Sequence, residues 1–154
     1  MIVVRPLGWT SFYDATDMVI ELMQHEGYPV TDITRQQVWE QMVRAVQKGT
    51  DFGFVAFDVA TLTAAGMIQM RVASDPVAPR LEAFRYYVRP QYRHSNAGRR
   101  LLEAVVDSLP PDFQAPVYIS TVGPLRRSFR RLGFATVSEI HAAPLGKIRA
   151  ALGR

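Results

Sequence analysis

The spacing of hydrophobic residues changes repeatedly along the chain between the period of a strand and that of a helix. Short apolar runs predict strands, and apolar residues at helical spacing predict amphipathic helices. Proline and glycine mark the ends of most of these segments. The predicted elements are, in order, a strand at 2–4, helices from Ser11 and from Thr34, strands at 52–58, 66–72 and 81–89, a helix after Gly98, a strand at 117–121, a helix from Pro124 and a strand at 134–141. This order, β-α-α-β-β-β-α-β-α-β, predicts an α/β fold in the wider sense of an α+β mixed sheet.

The first two helices are predicted to begin at capping pairs. Ser11 with Asp14 and Thr34 with Gln37 have the spacing at which a polar side chain accepts from a first-turn N–H group. Each helix is followed by a glycine, the residue that most easily adopts the left-handed conformation of a helix end.

Composition narrows the class of protein. The chain has 154 residues, of which 48% are hydrophobic, and it contains no cysteine. This size predicts one domain over residues 1–154, and the lack of cysteine excludes disulfides, thiolate metal sites and cysteine nucleophiles. No apolar run approaches the roughly 20 residues that cross a bilayer, so we expect no membrane association. We expect a cytoplasmic protein, or a virion protein if the chain is encoded by a phage.

Charge is divided unevenly between the two parts of the chain. Residues 1–84 contain 6 basic and 10 acidic residues, whereas residues 85–154 contain 12 basic and 4 acidic residues. A basic C-terminal part indicates an anionic partner: nucleic acid, an acidic surface or a phosphate-bearing cofactor.

The turn before the third helix has the composition of a phosphate site. A helix start offers free N–H groups and partial positive charge. Gly98 lets a ligand approach the backbone closely, and Asn96 tolerates left-handed geometry. Arg93, Arg99 and Arg100 add positive charge at the same point. These features favour a pyrophosphate over an apolar ligand.

Two motifs here resemble the GNAT superfamily of N-acetyltransferases. The first is Val88-Arg89-Pro90 followed by Arg93–Gly98, as in the strand, turn and helix that hold the family's cofactor. The second is Phe129–Phe134, similar to the family's helix that ends in a tyrosine, three residues and Gly-Phe. The resemblance implies an acyl-CoA N-acyltransferase fold in which residues 1–80 form an acceptor side and residues 81–154 a cofactor side.

The resemblance also implies how acetyl-CoA would bind. The cofactor would enter where the strands at 81–89 and 117–121 splay apart. Amides of residues 93–98 would hold the pyrophosphate, and backbone groups of Tyr86, Tyr87 and Val88 would hold the pantetheine arm and polarise the thioester carbonyl. A deprotonated amine would then attack directly, and no metal is implied. The implied cofactor-binding residues are Tyr87, Val88, Arg93, His94, Ser95, Asn96, Ala97, Gly98 and Arg99.

The sequence departs from the family's pattern at three places. Phe129 stands where the family usually has the tyrosine that protonates the leaving thiolate, and phenylalanine has no proton to give. Asn96 replaces the first glycine of the phosphate loop. Val122-Gly123 replaces an asparagine often found after the preceding strand. These departures leave open a protein that retains cofactor binding without efficient catalysis.

Three residues are catalytic candidates, each with a structural alternative. Glu82 could act as a general base, directly or through water, or could be an edge charge that pairs with Arg80 or Arg85. Tyr86 and Tyr87 could supply the missing phenol, although aromatic residues of a central strand are commonly core. His94 could contact a cofactor phosphate or face solvent.

Two functions from different classes remain open. The first is an acetyl-CoA-dependent N-acetyltransferase acting on a small-molecule or protein amine, and the acidic N-terminal half would suit a cationic acceptor. The second is a catalytically weak or inactive GNAT-fold component of a larger assembly, such as a phage particle. A homodimer is possible in either case. Nucleic-acid binding is the less favoured explanation of the run Arg126–Arg131, which a solvated helix face also explains.

Overall fold

The computed structural model describes residues 1–73, 80–113, 115–119 and 130–131. The chain divides into two compact units, Met1–Ser120 and Thr121–Arg154. The strands and helices below belong to the first unit. In the second unit, Arg130 and Arg131 are helical and exposed. The predicted helix from Pro124 otherwise lies outside the described residues, as do the strand at 134–141 and Phe129.

The predicted order of elements is confirmed as far as the fifth strand. The elements are β1 (Ile2–Pro6), α1 (Phe12–His25), α2 (Asp32–Gln47), β2 (Asp51–Asp58), β3 (Thr63–Ala73), β4 (Arg80–Val88), a 3₁₀ turn (Pro90–Tyr92), α3 (Ala97–Ser108) and β5 (Val117–Ile119). None of the described helices is long and apolar enough to cross a bilayer.

The strands form one mixed sheet in the order β1-β2-β3-β4-β5. The first four are antiparallel neighbours, whereas β5 pairs with β4 in parallel. That parallel pairing joins only Leu81–Ala83 to Val117–Ile119. Beyond Ala83, the outer edge of β4 has no pairing partner among the described residues, and over the five residues Phe84–Val88 it is open as far as they show.

A β-bulge interrupts β4 where this open edge begins. Gln69 pairs with Arg85 and Met70 pairs with Ala83, so Phe84 is an extra residue on β4. A bulge of this kind bends the strand and increases its local twist. The bend and the end of the β5 pairing therefore coincide.

Helices cover both faces of the sheet. On one face, α1 and α2 pack against the sheet through a core that includes Met18, Met42, Val55 and Met67. On the other face, α3 inserts Leu101 into a second apolar core. Successive side chains of a strand point to opposite faces of the sheet, so adjacent residues of β4 contribute to different cores. Tyr87 belongs to the first core, and Tyr86 packs against the second.

The predicted start of α1 at Ser11 is confirmed, because Ser11 directly precedes the helix, but the predicted capping bond is wrong. Ser11 makes no side-chain cap; its hydroxyl instead accepts from the Gly8 N–H at 3.1 Å and donates to the Pro6 carbonyl at 3.2 Å. The α2 capping box joins Thr31 with Thr34, so the residue that caps the helix lies three residues before the predicted one. The predicted glycine stops are confirmed, because Gly27 and Gly49 have φ angles of +81° and +72°.

Candidate functional site

The open edge of β4 presents alternate backbone groups. The Arg89 N–H donates to the Ala65 carbonyl at 2.9 Å. Because bonding direction alternates along an antiparallel pair, Tyr87 bonds to β3, whereas the backbone groups of Tyr86 and Val88 point to the opposite edge. Three residues were predicted to hold the pantetheine arm. Tyr86 and Val88 have backbone groups that point outward, whereas the backbone groups of Tyr87 form hydrogen bonds to β3 within the sheet.

The turn after β4 brings the helix start beside this edge. Ser95 donates from Oγ to the Tyr92 carbonyl at 2.7 Å and accepts from the Ala97 N–H at 3.2 Å. The N–H groups of Gly98 and Arg99 have no acceptor among the described residues. The start of α3 therefore offers two amide donors and the positive end of the helix dipole to an anion.

Asn96 does not need the conformational freedom of glycine. As the residue before α3 it has φ −85° and ψ 10°, a region open to any L-amino acid. The tolerance of asparagine for left-handed geometry is therefore not used at this position. Replacement of the family's glycine at this position therefore carries no backbone strain here.

Arginine side chains surround the same turn. Arg93 makes a long hydrogen bond of 3.5 Å from Nε to the Val88 carbonyl. Arg99 donates from Nε to Glu103 at 2.7 Å, and Arg100 lies 4.0 Å from the same carboxylate. All three arginines are exposed, as is His94. One carboxylate serves two of these arginines, so the turn has a surplus of positive charge.

Gly98 has a structural role that the sequence did not reveal. A β-carbon at this position would lie under 3.0 Å from the Tyr86 hydroxyl oxygen, closer than real β-carbons come. Burial between β4 and α3 also raises the pKa of Tyr86 to about 12. The packing of α3 against Tyr86 therefore favours a glycine at this position, whether or not a ligand approaches it, because a β-carbon here would displace the tyrosine hydroxyl.

A clamp holds the beginning of the turn against α1. Arg89 donates from Nη2 to Glu21 at 2.6 Å and from Nη1 to the Ala64 carbonyl at 2.8 Å. The pKa of Tyr87 is raised by burial and, next, by the charge and hydrogen bonding of Glu21. Arg89 thus fixes the turn, and Tyr87 keeps its proton at neutral pH.

Glu82 lies away from this turn. It is six residues before Val88, or about 20 Å along an extended strand. Its carboxylate accepts from Arg80 Nε at 2.6 Å. The structure thus places Glu82 in the ion pair with Arg80 that was the alternative to a catalytic base, although the role of general base stays a prediction.

An open groove of about 500 Å³ borders the turn on the side of β1. The turn contributes Tyr92, Ser95 and Asn96 to its lining and α3 contributes Arg100, and the opposite side is formed by Met1, Ile2 and Asp58. Its size is within the usual range of small-molecule sites. Among the described residues, no group of His, Asp and Glu side chains is arranged to hold a metal ion.

Sequence reasoning missed the Glu21–Arg89 clamp and the polar contacts of Arg85. Neither has a local sequence signal, because the hydrogen bonds join residues 68 and 44 positions apart. Predicting these contacts requires knowing which residues of β4 pair with which residues of β3, and this pairing cannot be read from the sequence.

Comparison with known proteins agrees with this architecture. A sequence model described as the acetyltransferase (GNAT) family matches residues 15–134. No curated protein sequence matches the chain.

Many solved structures are similar in fold. A predicted acetyltransferase from Clostridium acetobutylicum, solved with acetyl-CoA, has a TM-score of 0.76 at 12% identity and covers 96% of this chain and 98% of its own. A GCN5-related N-acetyltransferase from Ralstonia eutropha has a TM-score of 0.72 at 15% identity, with coverage of 94% and 99%. Glucosamine-6-phosphate N-acetyltransferase from Arabidopsis thaliana has a TM-score of 0.71 at 12% identity, with coverage of 94% and 98%. At these identities the likeness concerns the fold.

Proposed function

The chain belongs to the acetyltransferase (GNAT) family. We therefore propose that it transfers an acetyl group from acetyl-CoA directly to a primary amine of a small molecule or a protein. The proposal depends on two N–H groups at the start of α3, those of Gly98 and Arg99, which have no acceptor among the described residues. They lie beside the edge of β4 to which none of the described residues pairs beyond Ala83. One of the solved structures of similar fold contains acetyl-CoA, and this likeness supports the choice of acetyl-CoA as the cofactor.

The residues of the turn fit the diphosphate of coenzyme A. The Gly98 and Arg99 N–H groups would donate to phosphate oxygens, and Arg93 and Arg100 would supply balancing charge. The outward backbone groups of Tyr86 and Val88 would hydrogen-bond the amides of the pantetheine arm. The bound cofactor would supply an activated thioester, and the open edge would position it for attack.

Proton transfer is not assigned to Glu82 in this proposal, because its carboxylate is bonded to Arg80. Tyr86 packs its hydroxyl against Gly98, which leaves Tyr87 as the remaining phenol among the predicted candidates. Phe129 carries no hydroxyl, so a transferase of this sequence cannot use that position as an acid.

The test separates phosphate binding from folding. The Asn96→Asp variant puts a carboxylate at the start of α3, where it favours the helix dipole by about 0.3–1 kcal/mol but repels a diphosphate. We expect unchanged or higher thermal stability together with an acetyl-CoA affinity at least about tenfold weaker by calorimetry. Thr31→Asp, at the start of α2, is the matched control and should leave the affinity unchanged.

Transfer is then measured as thiol release and as acetylated product with a panel of amines. No binding of acetyl-CoA at millimolar concentration would overturn the proposal. Binding without transfer to any amine would favour the second hypothesis, a GNAT-fold component that has lost catalysis.

A further inference from the structure

Arg85 is a partly buried arginine whose described hydrogen-bond partners are uncharged. It donates from Nη1 to Gln69 Oε1 at 3.0 Å and from Nη2 to Gln41 Oε1 at 3.1 Å. No described carboxylate forms an ion pair with it. A guanidinium has more N–H donors than these two bonds use, so Arg85 keeps donors for a further acceptor.

The nearest buried carboxylate already serves another arginine. Asp51, whose side chain is 0% exposed, accepts from Arg71 Nε at 2.8 Å. Its second oxygen accepts from Arg71 Nη2 at 2.9 Å and from Gln69 Nε2 at 2.6 Å. Asp51 is therefore bonded to Arg71, on which the charge of Glu82 also acts, whereas Arg85 experiences the charge of Asp51 without an ion pair to any described carboxylate.

The surroundings of Arg85 act on its charge in two directions. Burial, and then the neighbouring charge of Arg71, disfavour the charge and lower the pKa of Arg85 to about 10. The Phe84 ring lies under both guanidinium groups, with its centroid 3.9 Å from Arg71 Cζ and 4.8 Å from Arg85 Cζ, and its face attracts both cations. An oxyanion beside Arg85 would offset the remaining cost of burial.

The position of Arg85 relates it to the proposed reaction. It directly follows the bulge at Phe84, and the pairing of β4 with β5 ends one residue before that bulge, at Ala83. From the turn, the open edge of β4 runs about 13 Å back to this point. The bond to Gln41 places the Arg85 side chain on the face covered by α2. A molecule that approached the end of the open edge from that face would meet the guanidinium.

We propose that Arg85 determines acceptor specificity by binding an oxyanion, a carboxylate or a phosphate, of the molecule that carries the reacting amine. This inference rests on the proposed acetyltransferase function. The planar fork of a guanidinium matches either oxyanion through two parallel hydrogen bonds. The expected acceptor therefore carries an anionic group as well as the amine, whereas the net charge of the N-terminal half indicated only that a cationic acceptor would suit it.

The test compares acceptors that differ in the oxyanion alone. Alanine is paired with alaninamide for the carboxylate, and phosphoethanolamine with ethanolamine for the phosphate. For the preferred anion, we expect Arg85→Gln to lower kcat/KM about 10- to 100-fold, mostly through KM, and to change the neutral partner less than about twofold. Arg85→Lys should keep part of the preference, because it retains the charge without the fork.

Two controls make the result decisive. Arg44→Gln removes an exposed arginine from the same face of the fold and should not change the preference. Calorimetry with acetyl-CoA and thermal melting are run on every variant. Failure of the wild type to bind acetyl-CoA would overturn the proposed function and this inference together. A wild type that binds acetyl-CoA but uses anionic and neutral acceptors equally, or uses neither pair, would overturn the inference alone.

Discussion

Gly98 offers a sharp test of how α3 packs on β4. In Gly98→Ala, the new β-carbon meets the Tyr86 hydroxyl, while Val88 Cγ2 at 3.5 Å and Tyr86 Cζ at 3.7 Å remain at ordinary contact distance. Removing the hydroxyl with Tyr86→Phe therefore removes the whole conflict. The two substitutions should be strongly coupled.

The magnitude follows from two opposed effects. Overpacking costs about 1–3 kcal/mol, and alanine in place of glycine stabilises a helix by about 0.5–1 kcal/mol, less in a first turn. Gly98→Ala alone should destabilise the protein by about 1.5 kcal/mol, whereas in a chain that already carries Tyr86→Phe it should be neutral or stabilising by about 0.5 kcal/mol. The expected coupling energy is about 2 kcal/mol.

Urea denaturation of the wild type, both single variants and the double variant measures this coupling. Additivity within about 0.5 kcal/mol would refute the packing argument. The same proteins show whether Gly98 also serves a ligand. If the double variant binds acetyl-CoA as Tyr86→Phe does, the glycine is needed for Tyr86 alone. If the stable double variant loses binding, the cofactor itself needs the close approach.

Two further predictions concern buried polar groups. Because the pKa of Tyr86 is raised to about 12, the unfolded chain releases this proton near pH 10 while the folded chain keeps it. Stability should therefore fall by up to about 2–3 kcal/mol between pH 10 and 12, and urea titrations should show a smaller fall in Tyr86→Phe. Asp51→Asn should cost about 2–4 kcal/mol, since it leaves Arg71 without its carboxylate. Asp17→Asn, in an exposed pair with Arg35, should cost less than about 1 kcal/mol, and equal losses by chemical denaturation would contradict this reasoning.

The elements of the first unit could be predicted because their signals are local. Apolar spacing places α1, α2 and the strands within a few residues of their observed bounds. The cap at Ser11 could not be predicted this way, because its hydroxyl is already bonded within the preceding turn. The sequence pattern of a capping pair does not show which neighbouring backbone group the hydroxyl will hydrogen-bond.

The candidate site was predictable only where its parts are adjacent in sequence. Strand, turn and helix start follow one another from Val88 to Gly98, and the motif identified them. The contacts that shape the site depend instead on the register of β4 against β3 and on the docking of helices. Gly98 therefore received a ligand-based explanation, while its contact with Tyr86 was not foreseen, and Arg85 was considered only as a partner of Glu82.

The Arg89 clamp has a consequence for the order of folding. It joins residues 68 positions apart, Glu21 and Arg89, and we expect such a distant contact to form late because the chain must first lose the entropy of the intervening segment. We therefore expect the turn that follows β4 to gain its final anchor only after α1 has docked on the sheet. Residues 81–154 expressed without the N-terminal part would contain the whole cofactor motif but would lack the Glu21 carboxylate, which holds Arg89 at the beginning of that motif.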